Sequence, residues 1–283
     1  MNTRRDFLRK AGAGLLAAGT TPALFAGDMA KTAESSSSKE DAFKLSIAGF
    51  SFVHFKIDEA LDMMKRMDVH YLCIKDFHLP FNSTDEQIAD FHVKLKSKGV
   101  TGYGVGPIYM NNEGDVDKGF AYAKRVGVKV IVGVPKHEIL PYIDKKVKEY
   151  DFNYAIHIHG PDIELYPHAK DVMEHVKDLD PRIGICLDIG HDARAGFDPV
   201  KDLKLYHKRV FDIHIKDVTA ASKKGGTCEM GRGIIDIPAF VRTLRKVKYT
   251  GACSLEFEKD MKDPLAGLSE SIGYFRGVAD ATR

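Results

Sequence analysis

Eight short apolar segments alternate along the chain with eight stretches whose apolar residues recur at helical spacing. The segments are rich in Val, Ile, Phe and Tyr and are bounded by Gly, Pro or Asp, as is typical of strands. The strand candidates are Lys44–Phe52, His70–Phe77, Thr101–Ile108, Val128–Val134, Asn153–His159, Ile183–Ile189, Val210–Lys216 and Ala252–Glu258. Strands that alternate with helices predict a parallel sheet.

The intervening stretches are predicted to be amphipathic helices. They are Ile57–Met67, Asp85–Lys98, Asp115–Val126, Leu140–Tyr150, Ala169–Leu179, Pro199–Leu205, Ile237–Val247 and Pro264–Val278. Eight strand–helix units predict an α/β fold with a single (β/α)8 TIM barrel over residues 43–283. A doubly wound open sheet is the alternative. It usually has a Gly-rich turn after its first strand, and Ala48-Gly49-Phe50-Ser51 does not provide one.

The N-terminus differs in composition from the rest of the chain. A charged head with the pair Arg4-Arg5 precedes a small apolar run from Ala11 to Ala18, and Ala23-Leu24-Phe25-Ala26 offers a cleavage site. Residues 1–26 are therefore predicted to be a twin-arginine signal peptide, and residues 27–42 a flexible linker. The apolar run is shorter than the ~20 residues of a spanning helix. We expect an exported, periplasmic protein whose mature chain does not insert into a membrane.

The charge balance does not favour a polyanionic partner. The chain has 42 Lys and Arg against 40 Asp and Glu. Residues 1–26 hold four of the basic and one of the acidic residues, so the remainder has 38 basic and 39 acidic residues, a net charge of −1. Neither nucleic acid nor an anionic membrane surface is favoured. The four cysteines include no CxxC pair and do not resemble a disulfide scaffold.

Four residues of metal-binding types lie near the ends of four successive strand candidates. They are His157, Asp188, His214 and Glu256. In a parallel barrel the carboxyl ends of the strands form the rim where active sites lie. Side chains alternate along a strand, and the opposite face of each of these strands is mostly apolar, so the polar face should point into the barrel. Buried charges are costly unless they are paired or bind a metal, so we expect a metal site here.

Two imidazoles and two carboxylates form a mixed nitrogen and oxygen donor set. This set suits Mn²⁺, Zn²⁺, Co²⁺ or Fe²⁺ better than Ca²⁺, and Mg²⁺ is a further alternative. Four protein ligands leave room for two substrate oxygens on a six-coordinate ion.

Several segments resemble the sugar phosphate isomerase/epimerase family, whose members have a xylose isomerase-like TIM barrel. They are Leu187-Asp188-Ile189-Gly190-His191, His214-Ile215-Lys216-Asp217, Gly231-Arg232-Gly233-Ile234-Ile235-Asp236 and residues 249–258 (YTGACSLEFE). The resemblance extends over roughly residues 43–275. It implies a divalent metal bound by Glu, Asp, His and Glu, and a reaction that moves a proton next to a carbonyl. By position, Asp188, His214 and Glu256 match the last three ligands.

The first ligand departs from the family pattern. The family typically has Glu-Asn-His-Gly at the end of strand five, whereas this chain has His157-Ile158-His159-Gly160. The family histidine is kept as His159, but the glutamate is replaced by His157. Family epimerases use the strand-five and strand-eight glutamates as an opposed acid/base pair, so a two-carboxylate mechanism is weakened. A neutral imidazole can still act as a base.

The leading hypothesis is a divalent-metal-dependent isomerase or epimerase acting on a carbonyl-bearing sugar through an enolate (enediolate) intermediate. The candidate catalytic residues are Glu256, His159, Glu258 and Lys75, and the candidate substrate-binding residues are His191, Lys216 and Arg232. Lys216 and Asp217 are also an expected ion pair. Arg232 lies in the Gly-rich loop Thr219–Asp236, for which a mobile lid and an ordinary surface loop are both open.

Two other functions stay open. An enolate can also expel a β-leaving group or add water, which predicts a lyase or hydratase acting on keto-sugars derived from glycosides. Such an enzyme needs no opposed glutamate pair. A non-catalytic carbohydrate-binding barrel is the third hypothesis, in which the altered first ligand marks lost activity. The expected partner is in each case a small-molecule carbohydrate, and homo-oligomerisation is left open.

Overall fold

A closed barrel of eight parallel strands forms the centre of the structure, a computed structural model that describes residues 41–283. The strands are β1 (Lys44–Ala48), β2 (Tyr71–Ile74), β3 (Thr101–Met110), β4 (Val130–Pro135), β5 (Asn153–His157), β6 (Ile183–Asp188), β7 (Val210–Ile215) and β8 (Ala252–Leu255). Strands adjacent in sequence are adjacent in the barrel, and β8 pairs with β1 to close it. The predicted (β/α)8 barrel is confirmed. The predicted signal peptide, and the predicted linker up to residue 40, lie outside the described residues.

Helices connect the strands on the outside of the barrel. They are α1 (Ile57–Arg66), α2 (Asp85–Ser97), α3 (Glu113–Val126), α4 (Leu140–Tyr150), α5 (Ala169–Val176), α6 (Ile189–Arg194), α7 (Pro199–Tyr206), α8 (Ile237–Lys246) and α9 (Leu265–Ala281). The N-terminus of α2 is fixed by Thr84, whose side chain accepts a hydrogen bond from the backbone N–H of Gln87. Such a cap contributes about 1 kcal/mol. In residues 41–283 no helix is both long and apolar enough to cross a membrane.

Several strands end earlier than the sequence predicts. The first strand stops at Ala48 because residues Gly49–Phe52 turn into a 3₁₀ helix. The eighth stops at Leu255, so Glu256 lies just beyond the strand instead of within it. The apolar pattern continues past both ends since loop residues such as Phe52 and Phe257 are also buried.

The outward residues of the strands pack on the helices, while a different set fills the barrel. The barrel interior holds the small cluster Cys73, Val132, Ala155 and Cys186. Beside it the hydroxyl of Tyr103 donates a hydrogen bond of 2.9 Å to the buried carboxylate of Asp212. Polar groups inside the barrel are therefore paired with one another at this level, and the ligand-type residues lie nearer the mouth.

Candidate metal centre

Four predicted ligands converge at the carboxyl end of the barrel. His157 ends β5, Asp188 ends β6, His214 lies in β7, and Glu256 follows β8. The strand register places Asp188 opposite His214 and His157 opposite Cys186, so the side chains are level. One ligating atom from each of the four lies within 4.8 Å of the others. All four residues are buried.

The separations between the donor atoms suit a single cation. His157 Nε2 lies 3.0 Å from His214 Nδ1 and 3.7 Å from Asp188 Oδ2. His214 Nδ1 lies 3.3 Å from Glu256 Oε2 and 3.9 Å from Asp188 Oδ2. Donors bound at 2.0–2.2 Å stand about 3.3 Å apart in a tetrahedron, and roughly 3 to 4.3 Å apart in an octahedron. The buried Oδ2 of Asp188 accepts no hydrogen bond, although the ammonium of Lys216 lies 3.1 Å away, so this oxygen is available to a metal.

The charge of the site also suits a divalent cation. The buried ammonium of Lys216 lies 2.8 Å from Glu256 Oε2, 2.7 Å from Glu258 Oε2 and 3.1 Å from Asp188 Oδ2. With both histidines neutral, as a metal requires of its ligands, the three ionised carboxylates and the ammonium carry a net charge of −2. An uncompensated buried charge is costly, so a divalent cation would neutralise the group. The donor set, its geometry and its charge therefore fit a metal centre.

The pKa values of the ligands reflect burial and Lys216. Burial, with His159 and His214 nearby, holds the pKa of His157 well below its usual range, so the ring is neutral and able to bind a metal. Burial raises the pKa of Asp188 to about 6. Burial also disfavours ionised Glu256, but Lys216 and His214 outweigh it and keep the pKa of Glu256 well below normal.

A cavity of about 290 Å³ lies above the metal ligands at the barrel mouth. The predicted site residues that line it are Lys75, His157, His159, His191, Glu256 and Glu258. Phe50, Tyr109 and Asp162 also line it and were not predicted. Tyr109 is an aromatic residue near the end of β3 with 54% of its surface exposed. Its place at a strand end was the signal in the sequence that could have found it.

Two neutral histidines face this cavity. Burial lowers the pKa of His159 to about 4, and burial with the nearby Lys216 charge lowers that of His191 to about 2. The Tyr109 hydroxyl lies 3.3 Å from His159 Nε2. Gly160, with φ of 58°, lets the two histidines approach because a Cβ there would collide with the His191 carbonyl. Both rings are therefore neutral, and each has one nitrogen lone pair that can accept a proton or a hydrogen bond.

Lys75, a candidate catalytic residue, lies at the wall of the cavity. Its ammonium lies 2.7 Å from Asp76 Oδ1 and 2.7 Å from the carbonyl of Pro107, and its side chain also lines the cavity. An ion pair within the protein holds this positive charge at the cavity wall.

Arg232 and Lys216 lie elsewhere than predicted. Arg232 pairs with Glu270 and its side chain is 64% exposed, outside the residues that line the cavity. Lys216 lies below the cavity among the carboxylates, and its expected pairing with Asp217 is wrong. Asp217 instead accepts hydrogen bonds from the backbone N–H groups of Gly231 and Gly233. These bonds tie the loop after β7 to the barrel and keep Arg232 at the surface.

The xylose isomerase-like TIM barrel family matches residues 47–278 of the chain. The chain belongs to this family. Family membership agrees with the closed parallel barrel and with the ligand-type residues at its carboxyl end.

Three curated proteins are similar to this xylose isomerase-like barrel over part of their length. The rhizopine catabolism protein MocC of Rhizobium meliloti is 28% identical over 48% of this chain and 50% of its own. A 3-oxo-isoapionate decarboxylase of Pectobacterium atrosepticum is 35% identical over 29% of this chain and 34% of its own. An inosose dehydratase of Mesomycoplasma hyopneumoniae is 24% identical over 68% of this chain and 78% of its own. The chain thus spans half or less of the first two relatives.

Solved structures agree with the fold of this xylose isomerase-like barrel. An uncharacterized protein of Parabacteroides distasonis superimposes with a TM-score of 0.67 at 26% identity, covering 83% of this chain and 99% of that protein. The IolI protein with a bound zinc atom gives a TM-score of 0.70 at 16% identity, covering 85% and 99%. An L-ribulose 3-epimerase gives 0.67 at 13% identity, covering 85% and 96%. The last two likenesses establish the fold alone.

A second group of ligand-type residues in this xylose isomerase-like barrel is less suited to bind a metal. His168, Asp192 and Asp202 place donor atoms within 4.8 Å of one another. His168 Nδ1 accepts a hydrogen bond from the backbone N–H of Lys170, so Nε2 carries the proton and donates to Asp202 at 2.6 Å. A ring with both nitrogens engaged has no lone pair for a metal. Burial and Asp202 raise the pKa of Asp192 to about 9, so this carboxyl is neutral.

Proposed function

We propose that this barrel is a metal-dependent lyase that eliminates a β-substituent from a carbonyl-bearing sugar or polyol. The expectation from the sequence ranked an isomerase or epimerase first, and the geometry of His157 reverses that order. The proposal depends on this single residue.

An imidazole cannot do at position 157 what a glutamate can. A carboxylate has two oxygens on one side, so it can bind a metal with one and accept a proton with the other. The nitrogens of an imidazole point in opposite directions. Nε2 of His157 faces the other ligands, while Nδ1 is buried and has no hydrogen-bond partner. His157 can therefore be a ligand or a base, but not both at once.

The strand-five and strand-eight ligands share one metal position, so only an atom that does not bind the metal could act as one of two opposed bases. His157 Nε2 and Glu256 Oε2 are 4.0 Å apart. The second nitrogen of His157, Nδ1, is buried, whereas a glutamate at this position would offer a second oxygen beside the first. An epimerase with two bases is disfavoured, whereas elimination needs one base and one acid.

The names of the relatives support elimination or related carbanion chemistry. The relative that covers most of this chain is a dehydratase, and another is a decarboxylase. Loss of water and loss of carbon dioxide both pass through a carbanion stabilised by a neighbouring carbonyl. A likeness to an epimerase exists at the level of the fold.

The side chains around the cavity supply the acid and the base. A divalent ion held by His157, Asp188, His214 and Glu256 would supply Lewis-acid polarisation of a substrate carbonyl. His159 removes the proton from the carbon next to that carbonyl, and its C–H electron pair forms the enolate. Lys75 holds positive charge near the enolate oxygen.

The leaving group departs with help from Tyr109. The enolate electrons form a carbon–carbon double bond as the bond from the β-carbon to the leaving oxygen breaks. The Tyr109 hydroxyl gives its proton to that oxygen and regains one from protonated His159, 3.3 Å away. Protons and electrons balance without any further reactant.

An isomerase is the second candidate, favoured by one observation. Glu256 lines the cavity and has a second oxygen besides the Oε2 that faces Lys216 and His214. If that oxygen shuttles a proton between two adjacent carbons, one carboxylate is sufficient for isomerisation on one face of the substrate.

Incubation in D₂O with two probes separates these functions. In a 3-oxo-β-D-glucoside the C1 oxygen is a β-leaving group, and D-fructose serves as an isomerase probe. The metal-loaded protein should release methanol from the methyl 3-oxo-glucoside and form an unsaturated ketone, with little deuterium exchange into fructose. Deuterated isomer from fructose without elimination from the glucoside would contradict the proposal. Neither reaction, with less than about half an equivalent of bound metal, would favour a non-catalytic barrel.

The proposal includes export through a twin-arginine pathway, on the basis of Arg4-Arg5 and the apolar run that follows. The full-length protein should appear in the periplasmic fraction of a Gram-negative host, and replacement of both arginines by lysine should keep it in the cytoplasm. Equal distribution of the two forms would refute export by this route.

A further inference from the structure

A second cavity adjoins the one above the metal ligands. Its volume is about 550 Å³, and it lies between the loop after β2, the end of β3 and one face of α3. Tyr109 lines both cavities and is the wall between them. Ligand pockets usually span roughly 300 to 1,000 Å³, so the two together can hold a molecule larger than one sugar ring.

The walls of this second cavity are mainly aromatic and aliphatic. Phe81 and Tyr122 meet edge to face, with ring centroids 4.7 Å apart, and Ile108 and Ala121 complete the apolar wall. Tyr109 has 54% of its surface exposed, which is a large apolar exposure beside a buried polar site. Such a surface favours a flat apolar group that can lie against aromatic rings.

Three of the polar side chains that line the second cavity, those of Tyr122, Asp115 and Arg125, already have partners within the protein. The Tyr122 hydroxyl donates to the carbonyl of Leu79 at 2.6 Å. The carboxylate of Asp115 accepts a hydrogen bond from the backbone N–H of Asn111 at 2.9 Å.

Arg125 is occupied in the same way. Its guanidinium donates to Asp85 at 2.9 Å and to the carbonyl of Ser83. A second sugar ring would need partners for several hydroxyl groups, and the exposed side chains of Asn82 and Lys118 are the polar groups of the lining left to supply them. A planar apolar ring needs none.

We infer that the second cavity binds an aromatic aglycone, so that the substrate is an aryl glycoside of a keto-sugar. The inference rests on the proposed function, which places the sugar above the metal ligands. It adds the identity of the leaving group. The aglycone then lies beyond Tyr109, and the glycosidic oxygen lies beside the Tyr109 hydroxyl that protonates it. Departure of a phenol also suits elimination because a phenoxide is a more stable leaving group than an alkoxide.

Binding of unreactive ligands tests the inference without requiring turnover. The probes are 4-nitrophenyl β-D-glucoside, methyl β-D-glucoside and cellobiose, titrated into the metal-loaded full-length protein by calorimetry. The aryl glucoside should bind roughly tenfold or more tightly than the methyl glucoside, since burial of one aromatic ring supplies the difference. Equal affinities would overturn the inference. Tighter binding of cellobiose than of the aryl glucoside would assign the cavity to a second sugar and overturn it as well.

Two variants locate the effect in the second cavity. Ala121→Phe fills it from α3 and should remove the aryl preference while leaving methyl glucoside affinity within about twofold. Ala266→Phe, at an exposed alanine of α9 away from the cavity, is the matched control and should keep the preference. Phe81→Ala removes part of the wall and should weaken aryl binding if Ala121→Phe folds poorly. An aryl preference that survives both cavity variants would refute the assignment.

The outcomes separate the inference from the proposed function. An aryl preference without elimination activity would keep the aglycone cavity and reject the lyase. Elimination from the methyl glycoside without an aryl preference would keep the lyase and reject the aglycone cavity.

Discussion

Replacing the buried ammonium of Lys216 by a neutral side chain tests the charge balance of the metal centre. Lys216 is 1% exposed and lies within 3.1 Å of Asp188, Glu256 and Glu258. Lys216→Met keeps the length and apolar stem of the side chain but removes its charge. In the metal-free protein three carboxylates would then share the site without a cation.

The expected loss of stability follows from these contacts. At 2.8 Å and an effective dielectric constant near 20, one ion pair is worth about 6 kcal/mol before desolvation is subtracted. Removal of one partner of a buried pair costs about 3–5 kcal/mol in measured cases. Glu258 is partly exposed and Asp188 can take up a proton, so we expect a value in that range and not the sum of three pairs.

A bound divalent cation should reduce the difference in free energy of unfolding between the wild type and Lys216→Met. With metal, the positive charge of the ion replaces much of what the lysine supplied, so metal should stabilise Lys216→Met more than the wild type. Urea unfolding of both proteins in EDTA and in saturating Mn²⁺ measures the four free energies of unfolding. Lys94→Met is the matched control, because Lys94 forms a pair with Asp58 in which both side chains are exposed. A loss in EDTA no larger than that of Lys94→Met, or equal stabilisation by metal, would refute the charge argument.

Three further predictions concern single residues. His157→Glu restores a second oxygen at the strand-five ligand and should raise isomerisation relative to elimination several-fold, measured by NMR in D₂O; an unchanged ratio would count against the proposed role of His157. Asp188→Asn should lower metal affinity at least about a hundredfold, measured by metal analysis after dialysis, because losing a ligand costs more than losing a residue that only orients one. Asp192 is neutral in the folded protein up to a pKa of about 9 but ionises near 4 when unfolded, so folding should weaken by roughly 1 kcal/mol per pH unit as pH rises between these values. Asp192→Asn should remove that slope in urea titrations at pH 5, 6.5 and 8, and an equal slope in both proteins would show that another group causes it.

The barrel and the convergence of its four candidate ligands were predictable because both depend on local periodicity. Alternation along each strand puts every second residue on one face, and the ladder between β6 and β7 then sets Asp188 level with His214. The helix α6 was missed since its residues continue the apolar run of β6, and the helix begins only because the Asp188 side chain caps the N–H of His191.

Long-range contacts could not be predicted in the same way. The partners of Lys216 lie about 40 residues away on another strand end, so neighbouring Asp217 was the natural but wrong choice. The Gly-rich loop predicts that Arg232 lies at the site. In the structure Asp217 accepts hydrogen bonds from backbone N–H groups of that loop and holds it against the barrel. The second cavity forms where the loop after β2 packs near α3. No periodic pattern in the sequence predicts this contact.

The histidine at position 157 and the lysine at position 216 have a joint electrostatic consequence. With an imidazole at 157 the ionised site carries a net charge of −2, which one divalent cation neutralises. A glutamate there would leave an excess negative charge in a buried site even with the metal bound, and that charge would raise the pKa of a neighbouring carboxylate. It would also make the site more basic, which suits proton shuttling between carbons. In the proposed lyase, a site neutral with metal instead leaves the chemistry to the neutral pair of His159 and Tyr109, which would abstract one proton and return another to a leaving group. Under this proposal a histidine at position 157 both removes the second base and sets the charge at which a single-base elimination is sufficient.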